Sequence, residues 1–305
     1  MRNVDMRVEF AGLTLKNPIV TASGTCGFGR ELGEFFDLSE LGAISCKGLT
    51  LAPREGNPPP RIAETNLGIL NSVGLQNPGV DAFIAEELPA LRERDLCVIA
   101  NISGNTPEEY AVMSEKLSGA GVDMIEVNVS CPNVRCGGLQ YGVVPELAAE
   151  VTRAAKETAA VPVMVKLSPN VTDITVIARA VEEAGADAVS LINTVRGMRI
   201  DVNTRRPVLR MNTGGLSGPA VLPIAVRMVW EVSQAVSIPV MGMGGVATGA
   251  DAAQLMLAGA SAVAVGTASL VDPAAAVRVR DELEALARAQ GLSAVRELTG
   301  AVEPW

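Results

Sequence analysis

Val161-Pro-Val-Met-Val-Lys-Leu-Ser168 and Ile238-Pro-Val-Met-Gly-Met-Gly-Gly245 follow one pattern. Each is followed by a helical stretch and then by a matching segment, Ala184-Gly-Ala-Asp-Ala-Val-Ser190 after the first and Ala258-Gly-Ala-Ser-Ala-Val-Ala264 after the second. An apolar strand, a helix and a second apolar strand form a βαβ unit. Two such units with one grammar point to an internal repeat of a quarter of a barrel.

The same beat runs outward through the chain. Apolar segments ending in small or polar residues occur at Ile19–Gly24, Ala43–Gly48, Val98–Gly104, Met124–Ser130, Pro162–Ser168, Ala188–Thr194, Pro239–Gly245 and Ala262–Ala268. Helical patterns separate most of them, at Pro107–Ala120, Val144–Thr158, Asp173–Ala184, Pro219–Ala235 and Gly249–Ala258. Eight β units alternating with helices in 305 residues predict an α/β fold, a single (β/α)8 TIM barrel domain over residues 1–305. A doubly wound open sheet is the competing arrangement. Ahead of the first unit, Val8-Glu-Phe10 and Leu13-Thr-Leu15 flank Ala11-Gly12 and predict a short N-terminal hairpin.

Composition agrees with closely packed layers. The apolar fraction is 48% with 30 Gly and only 3% aromatics. A net charge of −9 argues against a general nucleic-acid surface. No apolar run approaches the length of a membrane span. The first residues, Met1-Arg-Asn-Val-Asp5, carry charge in place of an apolar signal core, so a cytoplasmic location is expected. The five Cys (26, 46, 97, 131 and 136) include no Cys-x-x-Cys and fit no disulfide framework. There is no His, which excludes His-based triads, His general bases and His metal ligands. Acid–base chemistry falls to Cys, Lys, Asp, Glu or Tyr.

Three connections are too long for plain turns: 49–97, 131–143 and 195–218. Each follows the C-terminal end of a predicted strand, the active-site face of such barrels. The first, with Pro53-Arg-Glu-Gly-Asn-Pro-Pro-Pro-Arg61, is expected to wander over the surface. Its continuation, Gly68 to Gly79, has close-set amides and glycines suited to a small polar ligand.

The strand ends carry the chemistry. In Met124–Ser130, alternation sets Ile125, Val127 and Val129 on one face and Met124, Glu126, Asn128 and Ser130 on the other, which we expect to look into a site. Cys131 follows on the loop beside two amides, Asn128 and Asn133. It is placed either for proton transfer or as an inert buried thiol. Ser23, Lys47, Asn101, Asn128 and Lys166 close their strands, and Asn193-Thr194 follow on the sixth. Lys47 and Lys166 sit in apolar surroundings and need an anion or a hydrogen-bonding partner. An internal pair, with Glu126 available, is one reading, and a Schiff-base role for Lys166 is another. The last two strands end in Gly244-Gly245 and Gly266-Thr267, where barrels often hold phosphate. With no metal-ligand set and no Rossmann fingerprint, a phosphorylated organic cofactor with a second ligand stacked on it is the natural occupant.

Taken together, several of these motifs resemble class 1 dihydroorotate dehydrogenases. They are Asn128-Val-Ser-Cys-Pro-Asn133 with Gly137-Gly138, Gly56-Asn-Pro-x-Pro-Arg61, Asn71 to Gly79, Lys47-Gly48, Ile192-Asn-Thr194, Gly214 to Ala220 and the two late Gly motifs. The likeness covers nearly the whole chain, and Asn71–Gly79 is most similar to the NAD-linked class 1B. The resemblance implies an FMN-binding barrel that oxidises (S)-dihydroorotate to orotate in pyrimidine synthesis. It also implies a second subunit with FAD and an iron–sulfur cluster, in a heterotetramer of two of each. By matching position, Cys131 would be the catalytic base. Lys47, Asn71, Ser72, Val73, Gly74, Leu75, Asn128, Asn133, Asn193 and Thr194 would hold the substrate. Ser23, Lys47, Gly48, Asn101, Asn128, Lys166, Ile192, Gly218, Gly244, Gly245, Gly266 and Thr267 would hold FMN. Cys136 departs from the family pattern, which has a basic residue or His there, though Arg135 keeps a positive charge nearby. The alternatives within the resemblance are the fumarate-linked class 1A enzymes and the flavin barrel of dihydropyrimidine dehydrogenases. An aldolase or a non-catalytic nucleotide-binding barrel would be a different class altogether.

Overall fold

The computed structural model describes residues 4–129 and 141–305. Cys131, Asn133 and Cys136 lie outside the described residues.

Eight parallel strands close into a barrel in sequence order. They are β1 (Ile19–Thr21), β2 (Ala43–Ser45), β3 (Cys97–Ile102), β4 (Met124–Asn128), β5 (Val163–Lys166), β6 (Ala188–Leu191), β7 (Val240–Met243) and β8 (Ala262–Val265). Val263 pairs with Ile19, which joins the last strand to the first and rules out an open sheet. Every residue of β1, β2, β4, β5, β6, β7 and β8 is buried. That two-sided burial explains why these strands read as continuous apolar runs.

The repeat seen in the sequence is a repeat of hydrogen bonds. Asp187 N donates to Val163 O at 2.8 Å, and Ser261 N donates to Val240 O at 2.8 Å. Just before these, Gly185 (φ +96°) and Gly259 (φ +120°) turn the chain out of the helix through a conformation that suits glycine.

Among the described residues six helices of nine or more residues clothe the barrel: α1 (Pro107–Ala120), α2 (Pro145–Thr158), α3 (Ile174–Glu183), α4 (Leu222–Ala235), α5 (Gly249–Leu257) and α6 (Ala275–Ala289). Their starts carry the expected caps. Thr106 accepts from Glu109 N ahead of α1, Asp173 accepts from Thr175 N ahead of α3, and Thr248 and Asp251 form a capping box on α5. No α-helix separates β1 from β2. Two 3-10 turns, Leu32–Glu34 and Leu38–Glu40, do that work. The N-terminal hairpin pairs Val8 with Leu15 and Phe10 with Leu13.

The first long connection does not wander. Ile62–Thr65 and Gly68–Asn71 form a hairpin. Gly68–Asn71 also pairs with Gly214–Ser217 from the third connection, which in turn pairs with Val195–Gly197. The result is a four-stranded antiparallel sheet drawn from two insertions far apart in sequence. The proline-rich part is tied to this sheet, because Asn57 N donates to Val73 O at 2.8 Å and Asn57 Nδ2 donates to Ser72 O at 2.9 Å. Those bonds satisfy backbone groups that a free loop would leave to water.

Candidate active site

The C-terminal ends of the barrel strands open into a cavity of about 270 Å³. Ser23, Lys47, Gly48, Asn101, Asn128, Lys166, Ile192, Asn193, Thr194, Gly244, Gly245, Gly266 and Thr267 all line it. So do Asn71, Val73, Gly74 and Leu75 from the first insertion. The structure thus brings together residues spread over most of the chain.

Register explains the convergence. Asn128 at the end of β4 pairs with Lys166 at the end of β5, so amide and ammonium stand at one level. Asn193 Nδ2 donates to Asn128 Oδ1 at 3.3 Å, and Thr194 N donates to Asn193 Oδ1 at 2.7 Å. Tyr110 from α1 donates its hydroxyl to Asn128 O at 3.1 Å and pins the end of β4 from outside. A Cβ on Gly24 would come within 3.8 Å of Lys47 Nζ, which places that ammonium over the end of β1.

Lys166 is buried, and among the described residues its ammonium has no carboxylate within ion-pair distance. Glu126 is not its partner. That carboxylate accepts from Ser45 Oγ at 3.1 Å, Asn101 Nδ2 at 2.6 Å and Ser190 Oγ at 2.7 Å. The internal Lys166–Glu126 pair considered from sequence is absent. A buried cation at a cavity wall calls for an anionic or strongly accepting ligand.

Two of the expected residues stand apart. Ser72 is fully buried and does not line the cavity, whereas Asn71 and Val73 on either side of it do. Gly218 (φ +105°) lies against the first insertion, where a Cβ would meet Gly68 Cα at 2.7 Å. The sequence reading missed Ile62, Ile69, Ser217, Met243 and Leu270, which also line the cavity. The sheet that brings Ile62, Ile69 and Ser217 there rests on non-local pairing. It also missed Ser45 and Ser190. Each of these lies two residues before a cavity residue, Lys47 and Ile192, and that spacing was a usable signal.

The described thiols are not candidates for acid–base work. Cys26 donates to Thr21 Oγ1 and Ser45 O at 3.3 and 3.2 Å, and burial pushes its pKa up to about 11 despite the Lys47 charge. Burial also raises Cys46, and takes Cys97 to about 12. Among the described residues no group of three or more His, Cys, Asp or Glu could hold a metal ion.

The cavity fits a phosphorylated flavin. Asn101 Oδ1 is buried with no partner among the described residues, so it awaits a donor. Gly244 (φ +120°) and Gly245 (φ +81°) bring bare backbone to the wall, and Lys47 and Lys166 supply positive charge.

Fold and cavity define a (β/α)8 barrel with its ligand site at the C-terminal ends of the strands. The chain matches the family described as dihydroorotate dehydrogenase over residues 5–287 and belongs to that family. A protein of Anoxybacillus flavithermus named dihydroorotate dehydrogenase B (NAD(+)), catalytic subunit, is 55% identical over 296 residues, 97% of this chain and 95% of that protein. The protein of the same name from Geobacillus kaustophilus is 56% identical over 296 residues, with the same shares covered. That from Thermoanaerobacter pseudethanolicus is 53% identical over 300 residues, 98% of this chain and 99% of that protein. These names agree with the NAD-linked resemblance of Asn71–Gly79.

Proposed function

We propose that this chain is the catalytic subunit of an NAD-linked dihydroorotate dehydrogenase, a single barrel domain that oxidises (S)-dihydroorotate to orotate in pyrimidine synthesis. The observation that carries this reading is the convergence of Lys47, Asn71, Asn128, Lys166 and Asn193 on one cavity, in a chain whose family match spans residues 5–287.

FMN, when bound, supplies the two-electron acceptor for the hydride that leaves C6 of the substrate. Ser23, Gly48, Asn101, Ile192, Gly244, Gly245, Gly266 and Thr267 would hold it, with Lys166 as the cation and Lys47 and Asn128 shared with the substrate. Asn71, Val73, Gly74, Leu75, Asn133, Asn193 and Thr194 would orient dihydroorotate through amide and backbone groups. Lys47 is suited to the substrate carboxylate, because an ammonium beside a carboxylate is the cheapest way to keep both charged away from water. Cys131 would take the proton from C5. With no His in the chain, a thiolate is the strongest base near Asn128 in sequence.

The electrons must then leave. A thiolate-bound iron–sulfur cluster needs about four Cys. The chain has no Cys-x-x-Cys and no strand followed by Gly-x-Gly-x-x-Gly to take a dinucleotide. We therefore assign NAD reduction to a partner subunit with FAD and an iron–sulfur cluster, in an assembly of two of each chain in the cytoplasm. The relatives' printed name, catalytic subunit, supports a partner. No described helix is long and apolar enough to cross a membrane.

Anaerobic titration with dihydroorotate tests the reading. A yellow protein should bleach with one equivalent per flavin. Bleaching by dihydrouracil and not by dihydroorotate would assign the barrel to the dihydropyrimidine dehydrogenase type. A colourless protein that is trapped on Lys166 by borohydride would make it an aldolase.

A further inference from the structure

Beneath the cavity floor the barrel holds a carboxylate that forms no ion pair among the described residues. Glu126 is 1% exposed, and its partners come from three other strands: Ser45 on β2, Asn101 on β3 and Ser190 on β6. Ser45, Glu126 and Ser190 sit on alternate strands, the arrangement of one side-chain layer in such a barrel. Asn101 is the cross-strand neighbour of Glu126.

These partners are not equivalent. A serine hydroxyl can rotate to suit whatever faces it. A primary amide has one donating end and one accepting end, and a carboxylate oxygen receives only a donor. The 2.6 Å contact between Asn101 Nδ2 and Glu126 Oε2 therefore sets which way the Asn101 amide points. Its other end, Oδ1, is buried without a partner among the described residues. That oxygen stands where a side chain on Gly48 would begin, since a Cβ there would meet it at 2.8 Å. Both Gly48 and Asn101 line the cavity.

We infer that Glu126 is a positioning residue, which turns the Asn101 amide so that its buried Oδ1, beside Gly48 at the cavity wall, is left as the acceptor for an N–H group of the bound cofactor ring. The inference rests on the flavin reading, because the flavin ring system carries such an N–H on its pyrimidine edge. With the amide reversed, the same position would present a donor, which cannot pair with that N–H. Glu126 also bridges β4 to three other strands, but a brace of that kind would not care which end of Asn101 faces the cavity.

The test is a swap of charge and amide, read by FMN titration of the full chain and by the flavin midpoint potential. Glu126→Gln lets Asn101 turn, and the Kd for FMN should rise about tenfold, the worth of one hydrogen bond, with a shifted potential. Asn101→Asp sets two carboxylates against each other and should lose at least as much. In the double variant, Gln at 126 donates to Asp at 101, whose second oxygen again faces the ring. FMN affinity should return to within roughly threefold of wild type, a coupling that independent sites do not show. A Glu126→Gln protein with wild-type Kd and potential would overturn the assignment, and so would losses that simply multiply in the double variant. If Glu126→Gln alone does not fold, a double variant that folds and binds FMN supports the assignment, and one that stays unfolded or empty overturns it. A wild-type chain that takes up no FMN would end the flavin reading and this inference with it, whereas FMN-replete variants end this inference alone.

Discussion

Thr267, just past the eighth barrel strand, donates its hydroxyl to the Ser217 hydroxyl at 2.8 Å. Ser217 ends a strand of the antiparallel sheet built from the two insertions, so this bond fastens that sheet to the barrel rim. Thr267→Val removes the donor and keeps the shape. The protein should stay folded, since one hydrogen bond is worth about 1 kcal/mol net. Amide exchange in Gly68–Asn71 and Gly214–Ser217 should accelerate, and FMN should dissociate faster. Unchanged exchange in both strands would show that the bond fastens nothing.

Lys166→Ala should weaken FMN retention or move the flavin potential downward. The ammonium stabilises added negative charge in a place that water hardly reaches. An unchanged potential together with unchanged FMN affinity would leave Lys166 a structural residue.

Cys131→Ala should leave the protein folded and yellow while flavin reduction by dihydroorotate slows about 10²-fold or more, the usual contribution of a general base. Cys131→Ser should keep part of the rate, best at higher pH. Stopped-flow absorbance at neutral pH measures both, and a near-normal rate for the Ala variant would remove Cys131 from the mechanism.

Burial holds the Cys26, Cys46 and Cys97 thiols protonated, with Cys26 raised to about 11 and Cys97 to about 12 from a usual 9.0. A folded-state pKa raised in this way gives stability that is complete below pH 9.0 and is lost as pH climbs through about 11 to 12. At pH 8, iodoacetamide should leave these three unmodified in the native protein and modify all five Cys after denaturation. Peptide mapping decides it. Rapid native labelling of Cys26 or Cys46 would contradict the burial argument.

The purified chain should reduce artificial dyes with dihydroorotate but not NAD, and adding the partner subunit should restore NAD reduction. Steady-state assays with each acceptor separate the cases. Efficient NAD reduction by the chain alone would remove the need for a relay, and rapid turnover with fumarate would move the protein to the sister class.

How much of this could be read from the sequence depended on range. The barrel was legible because each βαβ unit is local, and the paired prolines and glycines at Pro162, Gly185, Pro239 and Gly259 punctuate it. The rim sheet was not, because Asn71 finds its partner at Gly215, and short glycine-containing strands carry little alternation. Lys47 and Lys166 stood out as charges among apolar neighbours. Glu126 stood out too, but its company of Ser45, Asn101 and Ser190 is fixed by barrel closure, which no local pattern records.

The rim sheet also bears on how the protein is made. Its strands come from residues 62–71 and 195–217, and the bond that fastens it waits for Thr267. A ribosome must therefore synthesise nearly all of the 305 residues before the cavity has walls on every side. Nascent chains stalled short of Thr267 have no complete pocket to offer.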